Sequence, residues 1–322
     1  MYELKDYLNA INHKKEDVMA GEDEFWEKKY PAYIVNKALS AFPDTLLYAN
    51  EMNQHSYLNR NNSMVTDMIP VTFYIIQDGY GYAPIESGQI EQLITEANNE
   101  FGNLLHIRFY EYDTIFINDA TYYDIDRDQS ENTALMQNFN IDGTLNVYFV
   151  NSICNCDTDE WWSGFASYTG NYIFLTYSTN IYTPNNTFIH EMGHYMYLKH
   201  THTGSDDDDD DHIIDGDSAE YVDGTECDIR GDELCDTPAD PKLSYLLVDN
   251  NCEYIGDYID GHGDTYLPNT ENHMSYSRKI CRSQFSYQQE EVMIYRYFTY
   301  RKGTYLDCNG ELGGTAALDC AG

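Results

Sequence analysis

The first regular pattern of apolar and polar residues begins at Ile69. Residues 69–76, IPVTFYII, form a β-rich apolar run that predicts a buried strand. Ser87 then precedes a segment as its candidate N-cap, and the apolar residues of that segment fall at helical spacing, at Ile90, Leu93, Ile94, Ala97 and Phe101. A second strand is predicted at 106–112, HIRFYEY. This β-α-β order predicts a mixed α/β sheet with a helix packed on it.

Three further strands are predicted at 145–150, 164–169 and 172–177. The last two are separated only by Gly170 and Asn171, which favours an antiparallel pair at the edge of the sheet. A substrate in extended conformation can pair with such an edge.

Two more helices are predicted from their first residues. Thr183 and Pro184 suit the N-cap and the first helical position, because the missing N–H of proline costs nothing there. Ser286 and Gln289 have the spacing of a capping box at the start of a last helix. Between them, residues 201–272 are rich in Gly, Asp and Pro with little periodicity, which predicts an irregular region.

The helix that follows Thr183 contains the pattern H-E-x-x-H-x-x-x-x-x-H. His190 and His194 are four residues apart, so both imidazoles lie on one helix face and can reach one metal ion. Glu191, about 100° around the helix, flanks that ion without competing for it. His200 completes a set of three ligands, and a zinc site with three protein ligands keeps the open position that catalysis needs.

The charge of the chain limits its partners. It has 55 Asp and Glu against 18 Lys and Arg, which gives a formal net charge of -37. Nucleic acids and anionic lipid surfaces require clustered Lys and Arg, so neither is an expected partner, whereas cations are. The excess charge favours basic residues in a substrate, or it reflects a salty or calcium-rich habitat.

The location of the protein is predicted from its cysteines and its apolar runs. All eight cysteines follow residue 153, and none forms a C-x-x-C pair, which favours disulfides and a secreted protein. No run approaches the roughly 18 apolar residues of a membrane span. The first 20 residues lack an apolar signal-peptide core, so a signal peptide is expected to be absent from this chain.

With these motifs the chain resembles the metzincin metallopeptidases, and among them the pappalysin and cytophagalysin family. Besides the histidine motif, GDELCDTPAD at 231–240 looks like that family's Asp-Thr-Pro segment, and NHMSYS at 272–277 looks like its Met-turn. The likeness covers about 67–304, the predicted catalytic domain. Residues 1–66 are predicted to be an accessory segment or pro-segment, and 305–322 a C-terminal tail.

The resemblance implies an α+β (mixed α/β) fold in two parts. The upper subdomain holds a twisted mixed sheet and the active-site helix. The lower subdomain is irregular, braced by disulfides, and ends in a helix. The substrate is expected in the cleft between the two.

Carried over residue by residue, the resemblance implies a zinc ion bound by His190, His194 and His200. It makes Glu191 the general base and acid, and it places the Tyr276 hydroxyl near the reacting carbonyl, where it stabilises the developing oxyanion. Met274 is implied as the hydrophobic floor under the metal.

One position departs from the metzincin pattern. The residue that ends the active-site helix is usually Gly or Asn, which tolerate a left-handed backbone, and here it is Tyr197. A bulky residue in that conformation is strained by about 1 to 2 kcal/mol. Either Tyr197 is held in this strain, or the helix ends differently and His202 or a downstream carboxylate replaces His200.

The resemblance also implies two disulfides that brace the lower half of the cleft. The four cysteines concerned flank the Asp-Thr-Pro and Met-turn segments, and the expected pairing, one of three, is Cys227 with Cys252 and Cys235 with Cys281. Cys308 and Cys320 are expected to close the tail, which leaves Cys154 and Cys156 to pair elsewhere or remain free.

Calcium is a second candidate ion, because the chain resembles calcium-containing relatives. The acidic run that begins at Asp206 is typical of a solvated loop. Alternatively, the 206–217 loop or the turn from Asp232 to Thr237 supplies the oxygen ligands that calcium prefers.

The predicted function is a secreted zinc-dependent endopeptidase that hydrolyses peptide bonds in proteins or peptides with a zinc-bound water activated by Glu191. Two alternatives remain open. One is a thermolysin-like peptidase in which Glu220 or Glu226 is the third ligand. The other is a non-catalytic secreted protein with a degenerate metal site, whose acidic loops bind calcium or a surface partner.

Overall fold

The computed structural model describes residues 67–86, 88–105, 107–127, 130–158, 160–180, 186–205, 211–307 and 309–312. Several of the predicted features lie outside these residues: segment 1–66, the caps Ser87, Thr183 and Pro184, most of the acidic run, and Cys308 with Cys320.

The described residues form ten strands and five α-helices. The strands are β1 Asp67–Gln77, β2 Ile107–Asn118, β3 Asp124–Asp126, β4 Leu145–Val150, β5 Ser152–Asn155, β6 Glu160–Trp162, β7 Gly164–Ala166, β8 Tyr172–Thr176, β9 Ile213–Ile214 and β10 Ile259–Asp260. The helices are α1 Gln89–Leu105, α2 Ser130–Phe139, α3 Tyr177–Asn180, α4 Asn186–Tyr195 and α5 Tyr287–Arg296. The five predicted strands and the three predicted helices are therefore confirmed, while the short strands β3, β5, β6, β9 and β10 and the helices α2 and α3 were not predicted.

The main sheet is mixed, as predicted. Its five strands have the order β2-β1-β4-β8-β7, in which only β7 is antiparallel to its neighbour. This places the short strand β7 at one edge, and the predicted antiparallel pair around Gly170 and Asn171 is confirmed. A separate small sheet has the order β3-β5-β6.

Strand β1 is buried on both faces, which explains why its sequence is an almost continuous apolar run. Val71, Phe73 and Ile75 pack into the larger core cluster, together with α1 and α4. Tyr74 and Ile76 point to the other face and pack into a second cluster. Because successive side chains of a strand point to opposite faces, β1 contributes to a hydrophobic layer on each face of the sheet.

The chain after α4 is irregular, as predicted. Within 211–286 the two regular strands, β9 and β10, have two residues each. Two small apolar clusters lie here, one around Ile214 and Tyr266 and one around Leu243 and Val248. The last helix α5 begins with the predicted capping box of Ser286 and Gln289 and packs against α1.

The expected disulfide pairing is wrong. Cys227 pairs with Cys235, and Cys252 pairs with Cys281. Cys154 and Cys156 pair with each other. Cys227 and Cys235 are only 8 residues apart in sequence, so a local turn brings them within bonding distance. Sequence spacing could not rank the three pairings, since the backbone path of an irregular region sets the distances.

Among the described residues, none of the helices has both the length and the apolar composition that a crossing of the membrane requires.

Candidate metal centre

Helix α4 is buried along its whole length, because it fills the space between the main sheet and the irregular region. Its apolar residues Phe188, Met192 and Tyr195 belong to the larger core. Gly193 has a specific role here, since a Cβ atom at this position would collide with the sulfur of Met274. The glycine lets the helix lie directly on the predicted Met-turn.

The helix ends in a turn that Tyr197 makes with a left-handed backbone, φ 74°. The Leu198 N–H donates to Gly193 O at 3.0 Å, and the Tyr197 N–H donates to His194 O at 2.8 Å. These two bonds define a Schellman motif, whose left-handed position is usually glycine. The Arg296 guanidinium lies 4.3 Å from the Tyr197 ring centroid, so a cation–π contact holds the ring in place. Of the two alternatives left open for Tyr197, the structure shows the strained one.

The three predicted histidine ligands converge. The ligand atoms of His190, His194 and His200 all lie within 4.8 Å of one another. The Nε2 atom of His200 is 3.1 Å from His190 Nε2 and 2.8 Å from His194 Nε2. His202 stacks on His200 with its ring centroid 4.7 Å away and is not part of this cluster.

Backbone carbonyls fix which nitrogen carries the proton on two of the rings. His190 Nδ1 lies 2.7 Å from His273 O, and His194 Nδ1 lies 2.8 Å from Leu198 O. A carbonyl oxygen only accepts, so each Nδ1 must donate, and each Nε2 presents a lone pair to the centre. A neutral His200 ring carries one N–H, so it can donate to at most one of the Nε2 atoms of His190 and His194. The lone pairs therefore converge on a position that suits a cation.

Burial favours the neutral imidazole that metal binding requires. It lowers the pKa of His194 to about 4. Burial, together with the neighbouring histidines, also lowers the pKa of His190 and His200 well below their usual value.

His200 is positioned by the two motifs that lie downstream in the sequence. The next residue, Thr201, donates its hydroxyl to Asp240 Oδ2 at 2.6 Å and its N–H to Met274 O at 3.3 Å. Asp240 closes the Asp-Thr-Pro segment. The carbonyl of His273, beside Met274, accepts from His190. The Asp-Thr-Pro segment and the Met-turn segment thus hold His200 and His190 in position.

Glu191 is 5 % exposed, and among the described residues its Oε2 atom has no hydrogen-bond partner. A Cβ atom on Gly164 of strand β7 would lie 3.0 Å from Glu191 Cγ, so the glycine makes room for the carboxylate beside the sheet edge. Burial raises the pKa of Glu191 to about 8, an effect that Arg127, Arg282 and Lys279 reduce.

Tyr276 and Met274 both lie close to the histidines and α4. The Tyr276 ring centroid is 4.6 Å from that of His200 and 6.0 Å from that of His190, and the side chain is 39 % exposed. Met274 is fully buried under α4.

Sequence reasoning missed Tyr168, whose hydroxyl lies 3.3 Å from both His194 Nδ1 and Leu198 O. It also missed the link between Asp240 and Thr201. Neither contact could be read from the sequence: Tyr168 lies in a loop, and Asp240, although it ends the Asp-Thr-Pro segment, lies 39 residues after Thr201.

The two glutamates proposed as alternative third ligands lie apart from this cluster. Glu226 forms an ion pair with Arg230 at 2.7 Å. Glu220 is 4 % exposed and belongs to a group of buried carboxylates with Asp232 and Asp240. Neither glutamate joins the histidines in the metal-ligand cluster of the described residues.

The buried carboxylates form a second polar centre. The Oε2 of Glu220 and the Oδ2 of Asp232 are buried and, among the described residues, have no hydrogen-bond partner. Thr237 donates its hydroxyl to Asp232 Oδ1 at 2.9 Å. Burial raises the pKa of Glu220 to about 9, of Asp232 to about 8 and of Asp240 to about 6. Neighbouring carboxylates add to the shift of Glu220.

Neither a protein-family model nor a curated protein matches this chain. Among solved structures it is similar to mature mirolysin from Tannerella forsythia in complex with a cleaved peptide. The identity is 18 %, the match covers 73 % of this chain and 96 % of that one, and the TM-score is 0.45. A promirolysin variant from the same organism is 16 % identical over 83 % of this chain and 93 % of that one, with a TM-score of 0.46.

The chain is also similar to archaemetzincin from Methanopyrus kandleri. That match is 11 % identical, covers 44 % of this chain and 78 % of the other, and has a TM-score of 0.31. With identities and TM-scores this low, function has to be inferred from the side chains of this chain.

Proposed function

We propose that this chain is a zinc-dependent endopeptidase with its active centre at His190, His194, His200 and Glu191. The observation that carries the proposal is the convergence of Nε2 atoms beside a buried glutamate. Two of these nitrogens are fixed as acceptors by backbone carbonyls. Three nitrogen ligands with an open fourth position suit catalytic zinc, which acts as a Lewis acid and lowers the pKa of water.

Glu191 is the proposed base. Its carboxylate is desolvated and has an oxygen without a partner among the described residues, so it can accept a proton from water. With a pKa raised to about 8, it can also return that proton to the leaving amine. Tyr276, beside the histidines and partly exposed, is proposed to donate its hydroxyl to the carbonyl oxygen as negative charge develops there.

Strand β7 is the proposed docking edge for the peptide. It is one of the two edge strands of the main sheet, and a Cβ atom on its first residue, Gly164, would meet the Glu191 side chain. An extended substrate that pairs with β7 would bring its backbone alongside the catalytic carboxylate. Contacts between α4 and β7 hold this edge of the sheet in a fixed position relative to the candidate active centre.

Calcium is proposed as a second ion, bound by Glu220 and Asp232; Asp240 does not join them in one metal-ligand group among the described residues. Two buried oxygens without partners among the described residues are ligands that a hard cation would satisfy. Three disulfides among the described residues support a secreted, oxidising location.

The test is hydrolysis of a mixed peptide library by the wild type and by Glu191→Ala, with equal zinc content confirmed in both. We expect the wild type to cut and the variant to lose about 100- to 10,000-fold in kcat/KM, as removal of a general base does. Exposed Glu111 on β2 gives the matched control, because Glu111→Ala removes a carboxylate remote from the site and should keep full activity.

Undiminished cleavage by Glu191→Ala would refute the proposed mechanism. His200→Ala tests the third ligand, and we expect it to lose zinc. Retention of zinc at wild-type affinity by that variant would favour the thermolysin-like alternative.

A further inference from the structure

Three of the chain's 18 basic residues act electrostatically on the catalytic candidate Glu191: Arg127, Lys279 and Arg282. The Lys279 ammonium lies 3.4 Å from the hydroxyl of Ser163, the neighbour of Gly164 in the chain. Arg282 Nε donates to Ser277 O, next to Tyr276, at 3.0 Å. The centre of a protein with net charge -37 is thus locally positive.

Arg127 completes the group from the side of the small sheet. Its guanidinium lies 5.1 Å from the Trp162 ring centroid and 5.5 Å from that of Phe165, the residue after Gly164. Arg127, Lys279 and Arg282 are called the cationic cluster below.

Within the part of the chain that the structure describes, the cationic cluster forms no ion pair. Among the described residues, no carboxylate lies within ion-pair distance of its three members, although the chain has 55 acidic residues. Elsewhere basic side chains do find partners: Lys199 pairs with Glu233 at 2.7 Å and Lys302 with Asp67 at 3.0 Å. Cations without an ion pair also occur singly elsewhere in the described residues, as at Arg301, so what distinguishes this site is that three of them lie near Glu191.

Arg282 shows the cost of this arrangement. It is only 9 % exposed, and within the described residues its Nε makes the one hydrogen bond of the guanidinium. A buried charge without a partner is unfavourable unless a ligand supplies one. Burial lowers the pKa of Arg282 to about 10. Although Lys279 as a whole is exposed, partial burial of its ammonium, with Arg282 nearby, lowers its pKa to about 8.

Both groups still carry charge at neutral pH, because their pKa values remain above 7. The cleft therefore presents cations to whatever binds beside Glu191. A carboxylate offers two acceptor oxygens to such donors, and charge-assisted hydrogen bonds of this kind are the strong ones.

Resting on the proposed endopeptidase function, we infer that the cleft selects an acidic side chain, Asp or Glu, next to the bond that is cut, and that Lys279 and Arg282 bind it. The local positive charge thus favours an acidic side chain in the substrate, whereas the net negative charge of the chain favours basic substrates. The net charge acts at long range and is screened within about 10 Å at 0.1 M salt, whereas contact with Lys279 and Arg282 is not.

A different role for the cationic cluster would be to keep Glu191 ionised without touching the substrate. The two roles separate in kinetics. If the cations act only on Glu191, substitution changes kcat by the same factor for every peptide. If they bind substrate, the factor depends on the residue beside the cut.

The experiment uses a peptide library randomised at the central positions, followed by matched peptides with Asp, its isostere Asn, or Lys at the preferred position. We expect the wild type to cleave the Asp peptide with a kcat/KM about 10- to 100-fold above the Asn peptide, the range of one charge-assisted hydrogen bond. Lys279→Gln should abolish most of this ratio, and Lys279→Glu should reverse it in favour of the Lys peptide.

Lys302→Gln is the matched control. It removes a lysine from an ion pair outside the cationic cluster, so the ratio should remain that of the wild type. A wild-type ratio near one, or an equal loss on all three peptides in Lys279→Gln, would overturn the inference.

A binding measurement separates this inference from the proposed function. Zinc-loaded Glu191→Ala is titrated with the Asp and Asn peptides. Preferential binding of the Asp peptide without any cleavage by the wild type would support the acidic site and refute the peptidase. Cleavage without preference for Asp would do the reverse. Absence of both binding preference and cleavage would refute both.

Discussion

The upper and lower halves of this molecule are stabilised by different physical means. The upper half, residues 67–196, packs a five-stranded sheet and helices α1 and α4 around a large apolar core, and its one disulfide, Cys154–Cys156, links residues only two apart. The lower half, residues 197–286, has two small apolar clusters, two disulfides and a group of buried carboxylates. Helix α5 packs against α1 and joins the two.

The difference teaches that the two halves should respond to different conditions. Burial of apolar surface is insensitive to reductant, chelator and moderate changes of pH. Disulfides respond to reductant, and buried carboxylates respond to pH and to removal of a bound cation by a chelator. The candidate active centre lies between the halves and takes His190 and His194 from the upper one and His200 and Tyr276 from the lower one. Its integrity should therefore depend on the lower half first.

The largest expected effect tests the upper half. Arg301 is 2 % exposed and donates to the carbonyls of Ser167, Tyr168, Gly170 and Tyr195, which ties the end of α4 to the sheet. Arg301→Met leaves these acceptors unpaired and should cost about 3 to 5 kcal/mol.

Urea unfolding measures this loss, with exposed Arg108→Met as the control that should change stability by less than about 0.5 kcal/mol. A loss below about 1 kcal/mol for Arg301→Met would show that water replaces the guanidinium at these carbonyls.

The second effect concerns the disulfides of the lower half. Cys252–Cys281 has a sequence separation of 29 and Cys227–Cys235 one of 8. A longer loop loses more unfolded-state entropy, so replacing the first pair by Ser should cost about 3 to 4 kcal/mol and the second about 2 to 3. Thermal unfolding of the two double variants gives the ranking, and the reverse order would contradict it.

The smallest effect is the response of the lower half to calcium. Without the ion, the folded pKa values of Glu220 and Asp232, about 9 and about 8, lie above their unfolded values. The folded state then binds more protons than the unfolded one, so stability falls as pH rises from about 4 to about 9. Calcium replaces these protons, and its stabilisation should therefore be larger at pH 8 than at pH 5.

At a calcium concentration 100 times its Kd, the gain at pH 8 should be about 2.7 kcal/mol, measured as a rise in Tm. Asp232→Asn should abolish the rise, whereas Asp157→Asn, at an exposed turn, should keep it. An equal rise at both pH values would place the calcium elsewhere.

Local sequence patterns predicted the elements of the upper half well. The apolar run at 69–76, the helical spacing after Ser87 and the capping box at Ser286 each depend on neighbours within a few residues. The face shared by His190 and His194 follows from helix geometry alone. These features depend on residues that are close together in sequence, so they can be predicted from the sequence alone.

Predictions that depended on the path of the irregular chain were less complete. The disulfide pairing was wrong, because the turns of 211–286 set the distances between cysteines and spacing does not. Tyr168, Asp240 and Gly164 were missed for the same reason: each meets the centre through a contact between residues distant in sequence.

The sequence by itself determined that a helix carries two histidines and a glutamate on adjoining faces, and that a β-rich sheet precedes it. Only the tertiary structure decided that a left-handed Tyr197 returns His200 to the same point, and that two carbonyls orient the rings. It also decided that three cations without an ion pair among the described residues act on Glu191 in an acidic protein. The physical reason is that helix periodicity is local, whereas convergence of ligands and local potential depend on how distant segments pack.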